Sequence, residues 1–300
     1  MAGKVFVDAW TLGDWPVAGR VGRLRHDSRS PGSAVKRYAV VESGMQRIIS
    51  RRVQPTMHTY GDDFYAFLSS FALRSAAKVV PVVGAATGAR SVVDFGCGLG
   101  AWLSVWKASG AAVHGVDGPY VNQDRLLIDK AEFEPLDLVA PIDLGRRFDL
   151  VQSLETAEHL AAARAAGFVA NLVAHADKVL FSAAVPGQGG EHHVNEQPLE
   201  YWRGLFRAHG YVAVDIVRPS LRDDPEVQAW YRCNSILYVK HEAVAALSDA
   251  ARAAVVADGV PLADYWPLRD RVRQAVVRRL PTDVVDWLSR LNARRYAWQR

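Results

Sequence analysis

The chain has 300 residues, 50% of them hydrophobic and 23% charged, with a net charge of +4. This globular balance excludes a disordered or collagen-like chain, and two cysteines, Cys97 and Cys233, exclude a disulfide framework or a four-thiolate zinc site. The charge is modest for a nucleic-acid binder, no apolar run is long enough to span a bilayer and no secretory h-region opens the chain. A cytoplasmic protein with no nucleic-acid partner and no stable membrane insertion is expected.

Residues 1–55 are rich in Gly, Arg and Ser, with strand-like pieces at 4–9 and 37–42, and read as an irregular arm. From Asp62, the residues Phe64, Phe67, Leu68, Phe71, Ala72 and Val79 recur at helical spacing behind two acids, and Pro81 interrupts near the close. From Ser91 short β-branched runs alternate with helical stretches, the pattern of a parallel sheet covered on both faces. Strands are predicted at 91–95, 113–117, near Phe133, at 150–153 and at 179–185. Helices are predicted at 102–109, stopped by Gly110, and from Leu199 to Gly210. Residues 211–217 and 234–240 read as an antiparallel pair at a sheet edge.

The tail is predicted helical over 242–257 and again after Pro281, where Val284, Leu288, Leu291 and Arg295 share a face close to Trp287 and Trp298. Such a helix packs on the core or on a second copy of the chain, and a basic, Trp-bearing helix could also lie on an anionic membrane surface. The expected organisation is an N-terminal arm and lid helix (1–90), a core of seven strands (91–240) and a helical extension (241–300). The two terminal additions carry the basic excess and are where a homo-oligomer would form.

The run Val92-Val93-Asp94-Phe95-Gly96-Cys97-Gly98-Leu99-Gly100-Ala101 carries the most chemistry. A buried strand enters alternating glycines and then a helix, so the backbone can pass close to a ligand at the strand's carboxyl end. Gly96, Gly98 and Ala101 loosely satisfy the dinucleotide fingerprint. Asp94, two residues before the first glycine, would repel a pyrophosphate but attract a cationic group. The motif therefore favours a cationic nucleoside cofactor. Asp117, at the end of the second strand, can accept two ribose hydroxyl bonds, or can cap the turn made by Gly118 and Pro119.

The sequence resembles the class I S-adenosyl-L-methionine (SAM)-dependent methyltransferases, in particular the bacterial small-molecule subgroup related to the ubiquinone-biosynthesis type. Beyond the glycine run the resemblance continues through Val113-His114-Gly115-Val116-Asp117, Glu134-Pro135-Leu136-Asp137-Leu138, Phe148-Asp149-Leu150-Val151-Gln152-Ser153-Leu154-Glu155 and Glu158-His159-Leu160. It implies an α/β, Rossmann-like fold: seven strands, mostly parallel, helices on both faces, an antiparallel final strand, and helical N- and C-terminal additions. It implies SAM as cofactor and S-adenosyl-L-homocysteine (SAH) as product. The resemblance also assigns the cofactor's methionine part to Asp94, Gly96, Cys97, Gly98 and Gly100, the ribose to Asp117 and Gly118, and the adenine edge to Asp137 and Leu138. Ser153 and Leu154 would line the cofactor, and Tyr60 would close its pocket or pack in the core. Asp137 could equally cap a turn before Pro141, and Cys97 has no neighbour that would activate a thiolate.

Methyl transfer needs positioning and, for a hydroxyl acceptor, a base. Such groups belong after the fourth and fifth strands. After the fourth come Glu155, Glu158 and His159, where His159 is a site residue or a packed imidazole. After the fifth, 186–197 holds three glycines followed by His192, His193, Asn195 and Glu196. His193 is the leading base and His159 the second; Glu155, Glu158, His192, Asn195 and Glu196 are candidate substrate contacts. No metal is expected, because Glu158-His159 already recurs in the resembled family. The expected function is methyl transfer to oxygen or nitrogen of a small-molecule acceptor, such as a sugar or secondary metabolite. Two alternatives stand beside it: a SAM-binding regulatory or scaffolding module without catalysis, and an NAD-dependent oxidoreductase, which calls for a Tyr-x-x-x-Lys pair that is missing after the fourth strand.

Overall fold

The computed structural model describes residues 62–297, with side chains described over 71–291. The strand-like pieces at 4–9 and 37–42, Tyr60 and Trp298 lie outside the described residues, as does the side chain of Arg295. Among the described residues no helix is long and apolar enough to cross a membrane.

Seven strands form one sheet in the order β3-β2-β1-β4-β5-β7-β6. They are β1 Ser91–Phe95, β2 Ala112–Asp117, β3 Phe133–Pro135, β4 Leu150–Leu154, β5 Lys178–Ser182, β6 Tyr211–Val214 and β7 Ile236–Lys240. β3, β2, β1, β4 and β5 run parallel, in a register that pairs Ser91 with Ala112 and Val92 with Leu150. β7 lies antiparallel between β5 and β6, as the sequence pattern predicts. The chain lays β1, β2 and β3 outward in one direction, then returns to place β4 on the other side of β1. That reversal opens a crevice at the carboxyl ends of β1 and β4, where α/β sheets bind ligands.

Alternation along β1 sends Val92 to one face of the sheet and Val93 and Phe95 to the other, so two apolar layers form. One holds α1 (Asp62–Thr87) and α2 (Ala101–Ala108); the other holds α3 (Ala165–His175) and α4 (Leu199–Ala208). Each fully buried Val, Leu or Phe contributes roughly 1.5–3 kcal/mol. α1 continues through Pro81 rather than breaking there. Pro81 sits on the exposed face, while Val79, Val80, Val83 and Ala86 keep one buried stripe against α2 on both sides of it. The missing N–H therefore costs a single bond on the solvent side.

Three segments differ from the pattern-based expectation. β5 ends at Ser182, and residues 183–185 are already loop, although buried. The predicted strand 211–217 stops at Val214, and the chain turns into α5 (Val217–Leu221) and then α6 (Ala229–Asn234) before β7. The predicted helix 242–257 is a 3-10 turn, His241–Ala246, followed by α7 (Asp249–Ala253). Ser248 separates them, its hydroxyl accepting the Ala251 N–H as a helix N-cap. α8 (Leu268–Val277) has no counterpart in the predicted elements, since it buries Asp270, Arg273 and Gln274 beside Val277 instead of an apolar stripe. α9 (Thr282–Ala297) forms after Pro281 as expected and contacts α1. Trp287 and Leu291 on α9 stay exposed.

Candidate functional site

After β1 the chain turns through Gly96, Gly98 and Gly100, all at positive φ (89°, 54° and 79°). Gly96 also needs its missing side chain: a Cβ there would overlap the hydroxyl and methyl of Thr156. Beside Gly98 the equivalent position meets nothing within 4 Å, so that stretch of backbone is open to a ligand. Asp117, at the end of β2, ties the loop down by accepting the Gly98 N–H (2.7 Å), the Gly118 N–H (2.6 Å) and the Tyr120 hydroxyl (2.6 Å). Burial raises its carboxyl pKa above the usual value, and these three bonds oppose the rise.

Asp94 is 3% exposed on β1. Its Oδ2 accepts from Gln152 Nε2 on β4 (2.8 Å), and Gln152 Oε1 in turn accepts from Trp106 Nε1 on α2 (3.0 Å). Oδ1 has no hydrogen-bond partner among the described residues. Burial pushes the Asp94 carboxyl up to about 8, the Gln152 amide opposes it, and the charge of Asp117 adds to it. Cys97 is buried next to the loop, and that burial drives its thiol well above the ordinary range. It is a small filler there, not a thiolate.

Asp137 and Leu138 follow β3. Asp137 is exposed and accepts the Val139 N–H (3.1 Å), so its side chain caps its own turn, while Leu138 is buried with Val93, Phe95 and Val116. Ser153 is fully buried and donates to the Phe95 carbonyl (2.8 Å), which clamps β4 to β1; Leu154 is buried in the α1–α2 layer.

Glu155 leaves β4 in a left-handed conformation (φ 52°), a strained geometry for a residue with a side chain. Its N–H donates to the Ser182 carbonyl (3.0 Å) on β5. Its carboxylate accepts from Gln188 Nε2 (2.6 Å) and Asn234 Nδ2 (3.5 Å). Glu158, on the 3-10 turn Ala157–His159, is fully buried, and neither of its carboxylate oxygens has a hydrogen-bond partner among the described residues. Burial, and then the charge of Glu155, push its carboxyl far above the usual range. Its backbone carbonyl accepts the N–H groups of Val194 and Asn195 (2.9 and 3.0 Å), which docks the loop after β5 onto the turn after β4.

That docking brings the two histidines together. His159 and His193 meet edge to face with ring centroids 5.0 Å apart. His159 Nδ1 lies 3.2 Å from the His192 carbonyl, and His193 Nδ1 lies 2.9 Å from Glu196 Oε1. Glu196 also accepts from the N–H groups of Gly187 (2.6 Å) and Gly189 (2.7 Å), so one carboxylate fixes both the glycine loop and the imidazole. Asn195 is buried, and its Oδ1 accepts from Gln197. His192 turns away on a positive φ of 59°, its N–H donating to Asp286 on α9.

The family described as "Methyltransferase domain" matches residues 57–216, a span that takes in the glycine loop, Asp117 and the whole 186–197 loop. The chain belongs to this methyltransferase family. No curated protein matches it. Among solved structures it is similar to an O-methyltransferase family protein from Burkholderia thailandensis (14% identity, TM-score 0.42), covering 58% of this chain and 56% of that one. It is also similar to the magnesium protoporphyrin IX methyltransferase of Synechocystis crystallised with SAH (18%, 0.42; 59% and 85% covered). The sugar N-methyltransferase KedS8 from Streptoalloteichus is a third (17%, 0.46; 70% and 99% covered).

Several residues of this candidate site were not singled out from sequence. Gln152 and Trp106 hold Asp94. Gln188 joins Glu155 to Asn234 Nδ2 (2.8 Å), and Asn234 Oδ1 accepts from Trp266 Nε1 (3.1 Å). Arg273 on α8 donates to the Gln188 carbonyl (2.9 Å) and Arg278 to that of Pro186 (2.7 Å), while Arg290 on α9 pairs with Glu191 (3.1 Å). Tyr231 on α6 packs edge-on against Trp102 and lies where the charges of Glu155 and Asp94 both reach it. A signal was present for some of these, since Gln188 sits in the polar loop. None carries a motif of its own. A cavity of about 420 Å³, lined by Arg147, Asp177, His209, Tyr211 and Lys240, lies at the amino ends of the parallel strands, away from all of them.

Proposed function

We propose that the chain is a SAM-dependent methyltransferase that moves a methyl group to oxygen or nitrogen of a small-molecule acceptor. The observation that carries the proposal is Asp94. A fully buried carboxylate with one oxygen lacking a partner, beside a glycine loop open to a ligand, fits the ammonium end of SAM's methionine part. Asp117 fits the ribose: Oδ2 accepts one bond and has room for a second, and Oδ1 can take a sugar hydroxyl in place of that of Tyr120. Asp137 supports an adenine contact less well, because its side chain is spent on its own turn.

When bound, SAM supplies a methyl group on a positively charged sulfur. The residues of the chain then have three tasks. Asp94, Asp117 and the glycine loop hold the donor. The turn after β4 and the loop after β5 hold the acceptor in line with the methyl group. An oxygen or nitrogen acceptor that took up the methyl group would have a proton to lose. His193 would take it: Glu196 on Nδ1 favours the tautomer with Nε2 unprotonated and ready to accept. His159, in edge contact with it, is the second candidate.

The test is ligand-induced stabilisation of the purified full chain. SAH should raise the melting temperature and NADH should not; a shift with NADH and none with SAH overturns the proposal.

A further inference from the structure

We infer that Glu158, His159 and His193 form a site for one divalent transition-metal ion, placed where the acceptor would meet the transferred methyl group. Three features of the structure converge on it. One potential ligand atom from each of the three residues lies within 4.8 Å of the other two, across two separate loops. Glu158 is fully buried with one carboxylate oxygen in the cluster, and neither oxygen meets a donor in full hydrogen-bond geometry, only the nearby N–H groups of Glu158 and Ala184, a costly arrangement unless a cation completes it. Both imidazoles are also oriented through Nδ1, by a backbone carbonyl at His159 and by the Glu196 carboxylate at His193. A carbonyl or carboxylate on one ring nitrogen, presenting the other to a metal, is how ligating histidines are held in metalloproteins.

The surroundings agree. A Cβ on Gly190 would collide with Nε2 of His193, so the glycine keeps clear the space on that edge of the ring. Glu196 already occupies the Nδ1 side of His193, which leaves the Glu158 carboxylate as the anionic ligand atom of the cluster. Two imidazoles and a carboxylate suit zinc, cobalt, iron(II) or nickel better than calcium or magnesium.

The role of the ion rests on the methyltransferase proposal. A divalent ion lowers the pKa of a hydroxyl it touches. With His193 Nε2 serving as ligand, loss of the acceptor's proton would be driven by the ion instead of by an imidazole base. The acceptor class that follows is one that offers oxygen to a metal, such as a phenol, a vicinal diol or a hydroxy acid.

The untagged full chain, stripped with EDTA and dialysed, should be titrated calorimetrically with Co2+, and its visible absorption followed. One equivalent should bind with micromolar or tighter affinity. Glu158→Gln and the exposed His159→Ala should each weaken binding at least tenfold, while His241→Ala, beyond the far end of β7, should leave it unchanged. An absence of stoichiometric binding, or variants that bind as tightly as the wild type, would overturn the site. The SAH melting shift, measured on the same four proteins, reports on the methyltransferase proposal separately. It should persist in all of them, and its loss in every protein would overturn that proposal while leaving the ion titration to be judged by itself.

Discussion

The buried carboxylate of Asp94 moves the pH dependence of cofactor binding to near neutrality, a window in which an ordinary surface aspartate is already fully ionised. Without ligand its pKa stands at about 8, so at pH 5.5 only about 0.3% of the chains carry the charge needed to pair with an ammonium group, and at pH 7.5 about a quarter do. If the bound carboxylate stays ionised throughout, SAH affinity should rise about 75-fold across this window, equivalent to about 2.6 kcal/mol. The groups facing Asp94 are the Asp117 carboxylate, the Cys97 thiol, the Tyr231 hydroxyl and the neutral Gln152, and both the thiol and the phenol keep their protons across the window. Calorimetry with SAH at pH 5.5, 6.5 and 7.5 reads the effect. Asp94→Asn should bind weakly at every pH and abolish the slope. A second consequence has an equally definite sign. Between about pH 4 and 8 the folded chain holds a proton that the unfolded chain has released, so the stability of the ligand-free protein should fall as pH rises through that window. Asp94→Asn should remove this fall. A wild-type affinity that varies less than threefold between pH 5.5 and 7.5 refutes the pairing of Asp94 with a cationic ligand.

His193→Ala should lower turnover by about 10²–10⁴-fold while leaving SAH binding within twofold, whether the imidazole acts as base or as metal ligand; full activity would remove it from the site. Gly96→Ala should cost about 2–3 kcal/mol in urea denaturation, because the alanine must adopt a left-handed backbone and its methyl group meets Thr156; the double variant with Thr156→Gly should recover only the steric part. Arg218 is fully buried, paired with Asp215 through Nε (2.8 Å) and Nη2 (2.7 Å), and donates to the carbonyls of Cys233 and Ala263. Arg218→Ala should therefore lose about 3–5 kcal/mol by leaving Asp215 uncompensated, and a loss under 1 kcal/mol would show that the pair is not a structural anchor.

The strands that were legible in sequence are those whose residues face two apolar layers. β1 was placed to the residue because Ser91 and Gly96 bracket a run with no polar member but Asp94, and the glycine loop announced itself through backbone chemistry that few other residues allow. Legibility fails where a segment is held by polar contacts to a distant part of the chain. α8 was missed since its buried face is Asp270, Arg273 and Gln274, which no hydrophobic period reveals. The end of β5 was overrun because 183–185 is buried and apolar like a strand, yet it pairs with no neighbour. At the site, the polar density of the loop after β5 was plain in the sequence, and the fold docks that loop on the turn after β4. What could not be read was which partner each side chain takes: Glu196 on His193, Gln188 on Glu155, Gln152 on Asp94 are contacts across 3, 33 and 58 positions, and only the last two require the fold.

The glycines of the 186–197 loop suggest mobility when read in sequence, but in the fold the loop is bonded from four directions. Glu196 takes two of its three glycine N–H groups, the Glu158 carbonyl takes two more N–H groups, Arg273 and Arg278 hold two of its carbonyls, and Asp286 holds the His192 N–H. Two of those directions come from α8 and α9, so the C-terminal extension does more than add surface. It sets the conformation of the loop that carries His193, while the glycine loop and Asp94 take their hydrogen bonds from β1, α2, β2, β4 and the turn after β2. Under the proposed function, donor binding and acceptor positioning rest on different parts of the chain. Changes in α8 or α9 would then re-aim His193 against the acceptor without disturbing the cofactor cradle, the arrangement a catalytic core needs if its acceptor is to vary while its donor stays the same.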